Sequence, residues 1–444
     1  MKLPMALINR FFVGSRANVV AAMILSFVAA CVLYLPVRLI TLDFFHDDDA
    51  RLIGELSHVT DFGSASGFIF GTEAYKFRPM ANLQYLIEYF LFSDNYIWYV
   101  LYNIVISSVL VFLFLLFFYK KSGILKCSTL ALVLISSKFL IYSIWNITGS
   151  FEGLSAILFL AVLLLLYRGC QAPWKLGALV IVLLLTNERY LPFCIVVPFF
   201  YICSTSGYRN LSCFVKAVGY SVLLVAIYVS MHYVLNMPVI VGTQTDNVLH
   251  SFEFSRFIQH IFASYAELFG FSIGPRYLTG LDLITWVAPK DLLGNPQYVL
   301  SLFLSFILFC FCFYYWVFKN YIIDRAVLGF NCVCFLMVAA ASITFRLELR
   351  WLLPSFLAIL LIYAACGDFR ASQSANFRAS AFDRTLFVVV IILLLAYNFN
   401  YAAYCRESLN FAAKLHSASI FASLFGSDTA ITIYSWVQSF FSST

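Results

Sequence analysis

Three consecutive carboxylates, Asp47, Asp48 and Asp49, follow His46 directly after the first long apolar run of the chain. Adjacent like charges are unfavourable without a nearby cation, and ionisable side chains beside lipid are costly unless paired or functional. The loop that the triplet opens closes on Lys76-Phe77-Arg78-Pro79-Met80. Further along, Glu152, Glu188, Arg189, Arg346, Glu348 and Arg350 stand at the ends of apolar runs. These residues make a set of both signs: acids able to take a proton, and cations able to hold an anion. That pairing suits transfer of a group from a lipid phosphate. A carboxylate that deprotonates an attacking hydroxyl contributes about 10²–10⁴-fold, and fixed arginines stabilise charge growing on a departing phosphate.

The elements that must position these groups are membrane helices. The chain has 444 residues, of which 62% are hydrophobic and 11% charged. A soluble domain is about 45–50% apolar and about 25% charged. The apolar runs are continuous, as at 109–118 and 386–396, whereas a membrane barrel would alternate apolar and polar residues in short strands. The expected class is therefore all-α, a polytopic membrane protein with about 11 transmembrane helices. A formal charge of +6 spread along the chain signals topology and excludes a nucleic-acid partner.

Basic residues at Lys2, Arg10 and Arg16 place the N-terminus in the cytoplasm. Spans are then expected at 19–40, 96–119, 125–145, 154–167, 176–186, 190–203, 214–235, 298–318, 326–344, 351–366 and 385–404. The segment 81–92 is amphipathic and too short to cross, so it is expected to lie along the interface or re-enter. Outer loops fall at 43–95 and 236–297, and Gly63, Gly67 and Gly71 are expected to break any long helix in the first. The spans and loops form one catalytic domain over 1–404. An amphipathic C-terminal segment, 405–444, is expected on the outer face.

This threading sorts the charges. Short cytoplasmic turns carry Lys or Arg and almost no acid, while the outer turns hold Asp47, Asp48, Asp49, Glu152, Glu188 and Glu348. The 12 cysteines lie mostly in apolar runs without a C-x-x-C pair and read as small buried side chains. The site charges also have plainer readings. Arg and Asp at span ends can snorkel, cap helices or mark topology. One aspartate of the triplet is expected to cap a helix starting near Ala50. Glu188 and Arg189 suit a mutual ion pair as well as a catalytic role, and Arg256 and His260, four apart on a helix, read as structural.

Five short motifs in order resemble the GT-C superfamily of polyprenyl-phosphate-sugar-dependent glycosyltransferases, over residues 19–355. Asp48-Asp49-Ala50 matches the family's Asp-Asp-Ala form in the first outer loop, and Phe77-Arg78-Pro79-Met80 resembles its Tyr-Arg-Pro-Leu element. Gly149-Ser150-Phe151-Glu152-Gly153 keeps the Gly and Glu of a Gly-Arg-x-Glu-Leu element but lacks the Arg. Asn187-Glu188-Arg189, followed by Pro192, resembles a Lys-Glu turn between two short spans, with the Lys replaced. Leu349-Arg350-Trp351-Leu352-Leu353-Pro354-Ser355 keeps the Arg, Leu, Pro and Ser of a Glu-Arg-Tyr-Leu-Tyr-Leu-Pro-Ser motif.

The resemblance implies an inverting transfer of a monosaccharide from a polyprenyl-phosphate-linked donor to a hydroxyl of a cell-surface glycan or lipid-linked acceptor. Its setting would be the bacterial inner membrane, with the site facing the periplasm, as in O-antigen and lipopolysaccharide modification. Asp48 or Asp49 would be the base, with Asp47 beside them. Arg350, with Arg346 or Arg189, would bind the donor phosphate. Arg78, Glu152, Glu188 and His46 would contact sugar or acceptor, or hold those arginines. No metal is expected, although carboxylate ligands at 47–49 would suit Mg²⁺ or Mn²⁺. The competing classes are an O-antigen polymerase or ligase, and a lipid-linked glycan flippase or transporter. The loop at 236–297 carries few basic residues for a polymerase, and the polar residues gather at one face instead of mid-membrane.

Overall fold

The computed structural model describes residues 27, 47–71, 77–93, 95–122, 134–135, 137–145, 147–167, 172–198, 211–234, 252–268, 325–343 and 348–366. His46, Arg346, the expected spans at 298–318 and 385–404, nearly all of that at 19–40, and the segment 405–444 lie outside the described residues. Within them every regular element is a helix.

Eleven α-helices follow in order among the described residues. The segment expected as the first outer loop holds α1 (Asp47–Ser57) and α2 (Phe62–Ile69), and α3 (Pro79–Phe92) comes next. Then come α4 (Tyr96–Ser122), α5 (Lys138–Trp145), α6 (Ser150–Tyr167), α7 (Pro173–Thr186) and α8 (Leu211–Val234). The last three are α9 (Phe254–Leu268), α10 (Arg325–Ser342) and α11 (Leu353–Cys366). Three 3-10 turns punctuate them, at Ile147–Gly149, Glu188–Tyr190 and Leu349–Leu352.

Among the described residues, three segments are long and apolar enough to cross a membrane: Tyr96–Leu115, Ile147–Tyr167 and Phe214–Val234. Pro173–Thr186, Gly329–Ser342 and Leu349–Ile362 are shorter apolar helices. The second span fills the middle of the bundle, with Ala156, Phe159, Leu160 and Val162 fully buried. It packs on α4 and α7, and α10 pairs with α11 beside it. Gly153 allows the close approach to α4, because a Cβ there would stand 2.6 Å from Ile106 Cγ2. The third span is mostly exposed.

Local chemistry explains several boundaries. Asp61 accepts the Ser64 amide at 2.7 Å, and the Ser64 hydroxyl returns to the Asp61 amide at 3.1 Å, a reciprocal cap that starts α2. The break between α1 and α2 therefore falls at residues 58–61, whereas Gly63 and Gly67 lie inside α2. Proline opens α3 and α7, where its missing N–H removes nothing. The second span begins at Ile147 instead of Leu154. Glu152 consequently stands in the first turn of α6 and not in a loop.

The acidic triplet also departs from expectation. Helix α1 already includes Asp47, so it does not start near Ala50, and Asp49 caps a different helix. Its Oδ2 accepts the Ile147 amide at 3.1 Å, and its Oδ1 accepts the Thr148 amide and the Thr148 hydroxyl, both at 2.9 Å. Those are the first amides of the second span, which have no partner within their own helix. A carboxylate there also meets the positive end of the helix dipole.

Candidate active site

The charged turns expected on one face do meet. The turn Glu188–Tyr190 supplies Arg189, whose Nη1 donates to Glu152 Oε1 at 2.7 Å. Asn187 donates its Nδ2 to the other Glu152 oxygen at 2.9 Å, so this carboxylate is held from both sides. The Arg189 guanidinium lies over the ring of Trp351, 4.3 Å from the centroid. Arg350, next to that tryptophan, donates its Nε to Glu348 at 2.6 Å. Glu152, Arg189, Arg350 and Trp351 line one small cleft, with Met337 and Pro354 as its apolar side.

Glu188 faces the other way. It takes a two-pronged pair from Arg78, through Nε and Nη2. A mutual Glu188–Arg189 pair is therefore not formed: each residue pairs with a partner from elsewhere in the chain. Adjacent side chains on a helical turn diverge, which is the physical reason. Arg78 also lies 5.0 Å from the centroid of the Phe151 ring, one residue before Glu152.

Electrostatics tie these groups together. Burial draws the Arg189 guanidinium below its ordinary range; Glu152 opposes this, while the like charges of Arg350 and Arg78 add to it. Burial works against the Arg78 cation too, but Glu188 outweighs it and raises that guanidinium above its ordinary range. Three arginines thus repel one another across a small space, each steadied by its own glutamate: Arg78 by Glu188, Arg189 by Glu152, Arg350 by Glu348. The arrangement is nearly neutral and strongly polarised, and a ligand anion would relieve the mutual repulsion of the cations.

The acidic triplet joins this site through the chain. Asp49 holds Thr148, four residues before Glu152, and Tyr85 of α3 donates its hydroxyl to the Thr148 carbonyl at 2.8 Å. With three donors on it and no exposed surface, Asp49 is occupied as a brace. Among the described residues no three His, Cys, Asp or Glu side chains lie together as a metal site would need. Arg256 pairs with Glu253 at 2.7 Å, and His260 Nδ1 meets the Ser342 carbonyl at 3.3 Å, in keeping with a structural reading of both.

Three residues of this region carry no role in the sequence reading. Asn187 and Trp351 sat inside motifs, but nothing in their spacing said that one would hold Glu152 and the other stack on Arg189. Glu88 is the third. It is buried on α3, with Gln84 donating to it at 2.7 Å and Ser150 at 3.2 Å. Burial pushes its carboxyl up to about 8, against the pull of those two hydrogen bonds. The available signal was the i,i+4 pair Gln84 and Glu88 inside an otherwise apolar stretch.

Comparison of the chain with protein-family models, with curated proteins and with solved structures finds no match in any of the three.

Proposed function

We propose that this chain is an integral membrane glycosyltransferase of GT-C type. It would move a monosaccharide, with inversion, from a polyprenyl-phosphate-linked donor to an acceptor hydroxyl at the outer face of a bacterial inner membrane. About 11 spans would carry the site, in line with the hydropathy pattern. One observation supports this reading above the others: Arg189 and Arg350 line one cleft together with Glu152, and Met337, Ala341 and Pro354 give that cleft an apolar side. A phosphate on a lipid tail needs both features, cations and an apolar wall beside them.

In this reading the acceptor hydroxyl attacks the anomeric carbon, forming the new C–O bond. The bond from that carbon to the phosphate oxygen breaks, and polyprenyl phosphate departs with the electron pair. Arg189 and Arg350 stabilise the charge that arrives on the phosphate. A carboxylate of the triplet takes the hydroxyl proton. Asp48 is the better assignment, because Asp49 already accepts three hydrogen bonds. Arg78 and Glu188 then stand beside the cleft as a fixed pair that holds α3 to the Glu188–Tyr190 turn.

The test is transfer in liposomes. Purified protein, supplied with a polyprenyl-phosphate hexose and an extracted surface glycan, should label the glycan, and Asp48→Asn should abolish labelling. Full transfer by Asp48→Asn would remove the base assignment. No transfer from any lipid-phosphate sugar would remove the function.

A further inference from the structure

Some buried side-chain atoms among the described residues lack a hydrogen-bond partner. The hydroxyls of Ser107, Ser137 and Ser143 are of this kind, but among the residues that line the cleft it is Trp351 Nε1 that lacks a partner. Trp351 is 2% exposed. An indole N–H can only donate, and leaving a buried donor unmet is costly. Ring packing alone would be met equally by phenylalanine, which has no such group to bury. The ring face is also used, since Arg189 lies over it at 4.3 Å. Arg189 itself spends one of its five N–H groups on Glu152.

We propose that Trp351 is a ligand-binding residue of this cleft, its indole N–H donating to an oxygen of a bound phosphate monoester while its ring fixes the Arg189 guanidinium over the same anion. This rests on the lipid-phosphate reading of the cleft and adds the group that would distinguish a phosphate seated there from one merely attracted to the face. Arginine supplies charge and forked donors; the indole supplies one neutral donor of fixed direction, set by a ring that cannot move without disturbing Arg189. The donor becomes paired when the anion arrives, so the cost of leaving it unmet is recovered as affinity for the ligand.

The experiment measures binding of farnesyl phosphate, and of inorganic phosphate in parallel, to the full chain in detergent by calorimetry. Two variants are compared with the unaltered protein: Trp351→Phe, and a chain carrying 3-benzothienyl-alanine at position 351. The second keeps the shape of the indole with sulfur in place of the N–H, so it tests the donor even where the phenylalanine variant does not fold. Both variants should bind farnesyl phosphate about tenfold more weakly, the fold-change for one lost hydrogen bond to a charged group. The loss for inorganic phosphate should be in the same ratio. Unchanged affinity in the benzothienyl variant overturns the role of Trp351 while leaving the anion site standing. Failure of the unaltered protein to bind either probe overturns the site and this inference together. Weaker binding in the variants, with no sugar transfer by any form, supports the inference and counts against the transferase reading alone.

Discussion

Asp49 and Thr148 are joined twice through one oxygen: Asp49 Oδ1 accepts both the amide and the hydroxyl of Thr148 at 2.9 Å. With the Ile147 amide on the second oxygen, this carboxylate closes the start of a 21-residue segment long and apolar enough to cross a membrane, from nearly a hundred residues away in the chain. The acidic triplet is thereby divided in its work, with one aspartate given to architecture.

That division has a direct test. Asp49→Asn turns an amide N–H₂ toward donors and should destabilise the protein by about 1–3 kcal/mol. Asp48→Asn should leave thermal unfolding in detergent unchanged and abolish transfer. Equal melting temperatures for the Asp49→Asn and wild-type proteins would show that the cap carries no weight.

Arg78 and Glu188 form the second check. Both are largely buried, at 12% and 16% side-chain exposure, and removing one partner of a buried pair costs about 3–5 kcal/mol. Arg78→Lys retains charge but cannot form the two-pronged contact, so it should lose much of that stability as well. The double swap, Arg78→Glu with Glu188→Arg, should recover part of what either single change loses. A double-mutant cycle with coupling near zero would contradict the pairing.

Glu88 gives the fold a pH dependence of defined sign. Its carboxyl lies at about 8 in the folded protein and 4.5 ordinarily. Between those values the folded state holds the proton and the unfolded state does not, so stability falls as pH rises. Below about 4.5 both forms are protonated and the effect is absent; above about 8 the loss is complete. Thermal unfolding between pH 5 and pH 9 should show this decline, and Glu88→Gln should flatten it. A wild-type profile that is already flat would refute the burial argument.

Gly153 tests the packing that brings the second span to its neighbour. A methyl group there would meet Ile106 Cγ2 at 2.6 Å, and overfilling of this kind costs about 1–3 kcal/mol. Gly153→Ala should lower the melting temperature, and pairing it with Ile106→Ala should restore part of the loss. No change in the single variant would mean that α4 and α6 are less closely packed than described.

These residues also indicate what a sequence conveys. The gathering of Arg78, Glu152, Glu188, Arg189 and Arg350 was legible, because charges at the ends of apolar runs must share a membrane face. Their pairing was not legible. Each arginine had several glutamates at comparable distance along the chain, and the neighbour in sequence, Glu188 beside Arg189, is the wrong partner. That one aspartate of the triplet caps a helix was legible, but not that it is Asp49 or that the helix is remote, since hydrogen bonding across 98 residues leaves no local pattern. Glu88 was hidden for a different reason: Gln84 and Glu88 resemble the wet side of a surface helix, whereas the helices packed around α3 bury them and Ser150 donates to Glu88.

Transfer of a hexose to the surface glycan can be read at the cell surface itself. Mass spectrometry of the surface glycan should be compared between cells with the protein, cells without it, and cells carrying Asp48→Asn. The account predicts a glycan lighter by one hexose per acceptor unit in the latter two, with chain length unchanged. A shorter glycan of normal composition would indicate a polymerase, and an identical glycan in all three strains would contradict the account.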